Sequence, residues 1–174
     1  MKYLMLCMML VGFKSYADVE VNKSILDVVQ YVNKNDEVKF DMKLYELSLG
    51  YVFDNNFGIK YSYGRSVEES VDGRYSNFIT RMHTGQVFYR LNLSPVKVDF
   101  GVGKTETDSE WLVDGVSPSW SKSKDSDWSY HVNLHYQYGD SSSVTVGYSD
   151  FYRKDKVDNH QYTRGWRVGY TYKF

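Results

Sequence analysis

Little in this chain could build a covalent or metal-bound framework. A single cysteine, Cys7, stands among 174 residues, so no intrachain disulfide can form and no cysteine cluster can hold a metal. Two prolines and 13 glycines exclude collagen-like and proline-rich classes. Neither sign of charge dominates: 21 Lys and Arg stand against 22 Asp and Glu, a net charge of −1. The basic footprint of a nucleic-acid binder is missing, and no nucleic-acid partner is expected. After Phe13 no apolar run approaches the roughly 20 residues that a membrane-spanning helix needs. The abundance lies elsewhere, in 17 Tyr, 9 Phe and 4 Trp, 17% of the chain.

The first residues read as a targeting segment. Met1-Lys2 gives a positive start, Tyr3 to Phe13 an apolar run, and Ser15-Tyr16-Ala17 the small residues of a cleavage site. Cleavage is expected between Ala17 and Asp18, leaving residues 18–174 as one domain. Too few apolar residues precede Cys7 for it to act as a lipid anchor. Its loss with the signal peptide leaves a mature chain without thiol chemistry.

From Asp18 onward the pattern has period two, the signature of strands with two unlike faces. At the C-terminus Tyr162, Arg164, Trp166, Val168, Tyr170, Tyr172 and Phe174 share one face, while Thr163, Gly165, Arg167, Gly169, Thr171 and Lys173 share the other. The same alternation runs through Tyr45–Phe53, Phe57–Tyr63, Val87–Leu93, Val96–Val102, Trp128–Tyr138 and Val144–Tyr148. Tight turns at Asp54-Asn55-Asn56, Ser94-Pro95 and Gly139–Ser142 alternate with longer polar connections at 33–37, 65–76, 105–127 and 154–160. This predicts an all-β fold, a closed eight-stranded antiparallel up-and-down transmembrane β-barrel, apolar outside and polar inside. A lipid band about 25 Å tall takes about ten tilted residues. Ten residues back from Phe53 stands Lys43, and ten back from Phe174 stands Arg164, each the first charge on its face. The eighth strand must lie in Asp18–Val32, where Val19 and Val21 favour one register and Leu26 and Val28 the other. A bulge is expected there.

The inward set contains Glu46, Lys60, Arg90, Asp99, His131, His135 and Arg167, with Lys97 and Lys173 beside them. Eight strands enclose a space that side chains can fill, so these residues are expected to form ion pairs and hydrogen bonds and to leave no open channel. His131 and His135 lie about 13 Å apart along a strand and cannot share a metal. No cofactor or metal is expected. Two alternatives stand beside this reading. A narrow conduit is one. A lipid A-modifying enzyme is the other; its nearest candidate pair, Ser129 and His131, is placed inside the barrel by alternation, with no evident acidic partner.

Lys43, Arg81, His83, Lys104 and Arg164 fall at the outer edge of the lipid face, where they would meet the phosphates of lipopolysaccharide. The longest connection carries Trp111, Leu112, Val113, Val116 and Trp120, candidates for contact with a host-cell or matrix partner, by β-augmentation among other modes. Tyr170, Tyr172 and Phe174 are read as the C-terminal signal for barrel-assembly machinery. A monomer is expected, integral to the outer membrane, with periplasmic termini and extracellular loops.

Several stretches resemble small barrels of the Ail/Lom/OmpX type, within the OmpA-like transmembrane barrel superfamily. They are Val87-Phe88-Tyr89-Arg90-Leu91-Asn92, Val98-Asp99-Phe100-Gly101-Val102-Gly103-Lys104, the strand opening Ser126-Asp127, the turn Asp54-Asn55-Asn56-Phe57-Gly58, and the end Trp166-Arg167-Val168-Gly169-Tyr170-Thr171-Tyr172-Lys173-Phe174. The resemblance covers the chain from about residue 40 onward. It implies a closed eight-stranded barrel without catalysis, with a role at the surface such as attachment to host cells or resistance to host defences.

Overall fold

The computed structural model describes residues 18–32, 38–66, 69–71, 75–113, 119–154 and 160–174. The predicted signal peptide, residues 1–17, lies outside them. Nine strands follow one another: β1 (Asp18–Val32), β2 (Val38–Val52), β3 (Phe57–Ser66), β4 (Glu69–Val71), β5 (Tyr75–Leu93), β6 (Val96–Val113), β7 (Ser119–Gln137), β8 (Ser142–Lys154) and β9 (His160–Lys173). All pairings are antiparallel between neighbours in the chain, β1 pairs with β9, and β3 pairs with β5. The short β4 continues the line of β3 along β5, so the closed wall has eight strands.

Turn chemistry sets the end that carries both termini. Between β2 and β3, Asn56 adopts a φ of 65°, a left-handed conformation that asparagine tolerates better than most residues. The Asn56 amide donates to the Phe53 carbonyl at 3.0 Å, and the Phe57 amide to Asn55 Oδ1 at 3.2 Å. Ser94-Pro95 closes β5 onto β6 at the same end.

The molecule is packed inside out. Among the described residues, 21 polar or charged side chains are buried against eight apolar ones, whereas 28 large apolar side chains are exposed. In water so large an apolar surface would be untenable; in a bilayer it is what the solvent demands.

Two expectations about the strands are corrected. No bulge interrupts β1: its register with β2 runs unbroken from Asp18↔Val52 to Val32↔Val38, and with β9 from Glu20↔Lys173 to Tyr31↔Tyr162. The two apparent registers are one. Val19, Val21 and Ile25 point outward, while Leu26 and Val28 point inward and join Met42, Leu44, Met82 and Phe151 in a buried apolar layer. The second correction concerns residues 105–127, expected as a loop. They are mostly strand, since β6 and β7 remain paired to Val113↔Ser119. Likewise β3 extends to Ser66 and β5 begins at Tyr75.

Glycines on the inner face make room for large neighbours. Gly58 sits directly opposite Phe88, and a Cβ on Gly58 would come within 2.2 Å of the tip of the Phe88 ring. Phe88 is buried, so the ring has nowhere to go. Gly58→Ala is therefore expected to destabilise the barrel by about 1–3 kcal/mol. The Gly58→Ala/Phe88→Leu double variant should recover most of that loss, because the two residues are coupled. Urea titration of the folded, fast-migrating gel band reads both effects.

Candidate functional site

The barrel offers three places where chemistry could reside: its lumen, the charged rim at the end away from the termini, and the strands that project beyond that rim.

In the lumen, three carboxylates (Glu20, Glu46 and Asp99) meet three cations (Lys60, Arg90 and Arg167). Arg90 of β5 donates from Nε and Nη2 to Asp99 on the adjacent β6, at 2.7 and 2.8 Å. It also donates from both Nη atoms to Glu20 of β1, with Nη2 to Oε2 at 2.9 Å. Its guanidinium lies 5.5 Å from the Phe88 ring centre. Asp99 also engages His135 Nε2 at 2.9 Å, and Thr145 Oγ1 lies 2.9 Å from His135 Nδ1. Arg167 of β9 donates to Glu46 of β2 at 2.8 Å and to Asn133 of β7 at 3.0 Å. Bridges of this kind tie non-adjacent strands across the interior, which backbone ladders cannot do. The residual cavity between Glu20, Lys60, Phe88, Asp99, His135 and Arg167 measures about 20 Å³. That is room for about one water.

Higher in the lumen, His131 holds Ser129 Oγ at Nε2 and Ser149 Oγ at Nδ1, both at 2.9 Å. Ser129 in turn accepts from Thr105, which lies 2.9 Å from Thr84. Ser129 and Ser149 are fully buried and His131 is 2% exposed. This serine–imidazole pair is therefore sealed inside the wall, with a second serine where a catalytic acid would have to stand. The apolar layer of Leu26, Val28, Met42, Leu44, Met82 and Phe151 packs at this level, with the Phe151 ring edge-on to His131 at 5.6 Å. Among the described residues no cluster of His, Cys, Asp and Glu has the geometry to hold a metal ion.

The five rim candidates all point outward, but into surroundings of mixed charge. Lys43 stands opposite Asp27 of β1. Arg81 pairs with Glu110 at 3.5 Å and Arg164 with Asp150 at 3.4 Å. Lys104 lies opposite Trp128, with Glu106 next on its face. His83 Nδ1 and the Tyr61 hydroxyl share a 2.6 Å hydrogen bond, and the Tyr63 ring centre is 5.0 Å from the imidazole.

Of the partner-contact candidates, Trp111, Leu112, Val113 and Trp120 belong to the projecting β6–β7 ladder, paired as Trp111↔Ser121, Leu112↔Trp120 and Val113↔Ser119. Val116 lies outside the described residues. Among the described residues the pairing of β7 with β8 stops at Ser129↔Phe151, so Ser119–Trp128 rises beyond the closed wall on its ladder with β6. At the other end Tyr170, Tyr172 and Phe174 are exposed, with Tyr172 and Phe174 edge to face at 4.8 Å and the Tyr170 hydroxyl 2.8 Å from Ser142 Oγ.

Sequence reasoning missed three participants. Glu20 and Asn22 were lost with the register of β1, although outward Val19 and Val21 imply that their neighbours point inward. Asn22 donates to Thr171 at 2.7 Å. Arg65, the first outward charge on β3, stands directly opposite Arg81.

Solved structures share this architecture at low sequence identity. Neisserial surface protein A aligns with a TM-score of 0.74 at 15% identity, over 92% of this chain and 100% of that one. Ail of Yersinia pestis aligns with a TM-score of 0.66 at 14% identity, again over 92% and 100%. The N-terminal β-barrel domain of Pseudomonas aeruginosa OprF aligns with a TM-score of 0.56 at 14% identity, over 89% and 97%. At such identities the likeness shows the fold. No curated protein sequence matches. Residues 7–174 match the family described as outer membrane protein beta-barrel domain, and with nearly the whole chain covered, this protein belongs to that family of integral outer-membrane β-barrels.

Proposed function

We propose that the protein is a non-enzymatic outer-membrane anchor whose projecting hairpins act at the cell surface, in adhesion, contact with a host or maintenance of the envelope. The observation that carries this reading is a contrast within one wall. The lumen is filled by ion pairs, while β6 and β7 continue for about ten residues past the closed barrel, roughly 30 Å of extended chain. A filled lumen argues against transport. Burial of Ser129 and His131 argues against chemistry on lipid A, whose acyl bonds lie outside the wall. Short turns and both termini then face the periplasm, and the long hairpins face outward with the rim among outer-leaflet headgroups. Tyr170, Tyr172 and Phe174 serve the assembly machinery during insertion.

Structural relatives accommodate the reading: Ail has been solved in complex with the heparin analogue sucrose octasulfate. Here the projecting segment carries Lys122 and Lys124 among Asp108, Glu110, Asp125 and Asp127, a mixed surface suited to a protein or matrix partner rather than to a uniform polyanion.

The test replaces residues 109–123 with a two-residue turn and compares attachment of outer-membrane vesicles to host-cell monolayers and matrix-coated plates. Attachment should fall to the level of vesicles lacking the protein, while the heat-modifiable band persists. Undiminished attachment by the shortened variant overturns the surface role of this hairpin.

A further inference from the structure

One outward position on β1 breaks the pattern of the lipid face. Val19, Val21, Lys23 and Ile25 share that face, and Lys23 is exposed on it. Lys23 stands five residues up from Asp18. Its ladder partners are Tyr170, four residues before Phe174, and Leu47, six before Phe53. In a lipid band about ten residues tall, that is the midplane. A cation there is costly and calls for a partner. The carboxylates of its own strand are engaged elsewhere. Asp18 holds Lys173 at 2.7 Å, Glu20 holds Arg90 in the lumen, and Asp27 stands opposite Lys43 at the outer rim. Among the described residues no carboxylate pairs with Lys23.

The surface on the terminus side of Lys23 is notched. Val19 and Val21 are half-buried, whereas Leu47 and Leu49 on β2 and Tyr170 and Tyr172 on β9 are exposed. β1 is therefore the floor of a notch between two taller rows. The flanking strands lie about 9–10 Å apart, and their side chains narrow that span. It admits a phosphate or an acyl chain, but not a helix about 10–12 Å across. The closed wall offers no strand edge here to a protein partner. Polar groups converge on the same notch. The Tyr170 hydroxyl lies 2.8 Å from Ser142 Oγ. Ser142 stands opposite Tyr172, two residues nearer the terminus end, so the Tyr170 side chain leans that way. The stem of Lys23 is long enough to lean in the same direction, over Val21.

We infer that Lys23 and Tyr170 hold the phosphodiester of a glycerophospholipid from the leaflet facing the termini, its headgroup sunk over Val19 and Val21 and its acyl chains directed over Ile25. The phosphate supplies the anion that the wall lacks, in a charge-assisted hydrogen bond from the ammonium. With Ser142 donating to Tyr170 Oη, the Tyr170 proton is free for a second phosphate oxygen. That leaflet is the periplasmic one on the orientation proposed above, and in this respect the inference rests on that reading.

The experiment uses the full mature barrel in uncharged alkyl maltoside micelles, which carry no phosphate, with native mass spectrometry to count bound phosphatidylglycerol. The comparison set is wild type, Lys23→Gln, Lys23→Met, Lys23→Arg, and Lys97→Gln, which removes an inward lysine at the same end. Wild type, Lys23→Arg and Lys97→Gln should retain one lipid, and Lys23→Gln and Lys23→Met should bind it at least about tenfold more weakly. Diacylglycerol with the same chains should bind no better to wild type than to Lys23→Gln. Inorganic phosphate at equal concentration should not displace the phospholipid. Equal retention without the lysine, or an equal loss in Lys97→Gln, overturns the site. Full displacement by inorganic phosphate overturns the lipid as occupant. The heat-modifiable band is checked for every variant, and Lys23→Met carries the comparison if Lys23→Gln does not fold. Protease accessibility of an N-terminal tag on intact cells tests the orientation separately. A tag cleaved from outside overturns the leaflet and the surface reading together, whereas a protected tag with unchanged lipid retention overturns the site alone.

Discussion

Arg90→Met should cost the barrel about 3–5 kcal/mol of stability, the usual consequence of removing one partner from a buried ion cluster. Arg90 is 3% exposed and satisfies two carboxylates at once, Asp99 on the adjacent strand and Glu20 across the lumen. Methionine fills most of the volume but leaves both carboxylates facing each other in a space with room for about one water. His135 remains hydrogen-bonded to Asp99 at 2.9 Å, so the main loss falls on Glu20. The prediction separates charge from packing. Adding Glu20→Gln and Asp99→Asn to Arg90→Met removes the uncompensated charges, and the triple variant should regain most of the lost stability, since a buried ion cluster and a well-packed neutral replacement are often close in energy. Urea titration of the folded gel band in detergent reads all three proteins. If Arg90→Met unfolds at the wild-type midpoint, the lumen is not held together by this cluster.

Those residues also show where the sequence was transparent. The alternation of Trp128, Tyr130, Val132, Leu134 and Tyr136 with Ser129, His131, Asn133 and His135 placed every one of these side chains on its correct side of the wall. Lipid on one face and a polar lumen on the other leave no freedom for a register slip. Glu46, Arg90, Asp99, His131, His135 and Arg167 were all recognised as interior, and all are buried; Lys60 is interior and half-buried. Pairing was not legible. That Arg90 meets Glu20, or Arg167 meets Glu46, depends on the closure of strands far apart in the chain.

β1 misled for a physical reason. Leu26 and Val28 are apolar although they point inward, because the lumen at that height is lined by an apolar layer rather than by ions. A strand with apolar residues on both faces looks like two strands out of phase. The projecting part of β6 was missed for the opposite reason: above the lipid there is no apolar face to read. A signal was nevertheless present. Lys104, Glu106, Asp108 and Glu110 alternate with Thr105, Thr107 and Ser109, charge outward and hydroxyl inward. Period two persisted after hydrophobicity had gone.

The inside-out assignment has its own decisive prediction. Val146 of β8 points outward between Leu134 of β7 and Val168 of β9, each directly opposite it in the ladder. No polar neighbour flanks it in the sheet, and it stands about midway along the apolar band. Val146→Arg should therefore destabilise the membrane-inserted barrel by about 2–4 kcal/mol, the cost of an arginine at the bilayer midplane. Val144→Arg lies two residues closer to the turn, between Tyr136 and Tyr170. There the guanidinium can reach the interface, and the cost should be smaller. The depth dependence is the discriminating feature. In water both valines would be ordinary exposed positions, and substitution would change stability by no more than about 0.5 kcal/mol in either case. Unfolding titrations in phospholipid vesicles measure the two variants side by side. A graded loss, larger for Val146→Arg, follows only if hydrocarbon lies against this face. Two equal and negligible effects would mean that the 28 exposed apolar side chains face something other than lipid, and the rim and the outward hairpins would have to be placed anew.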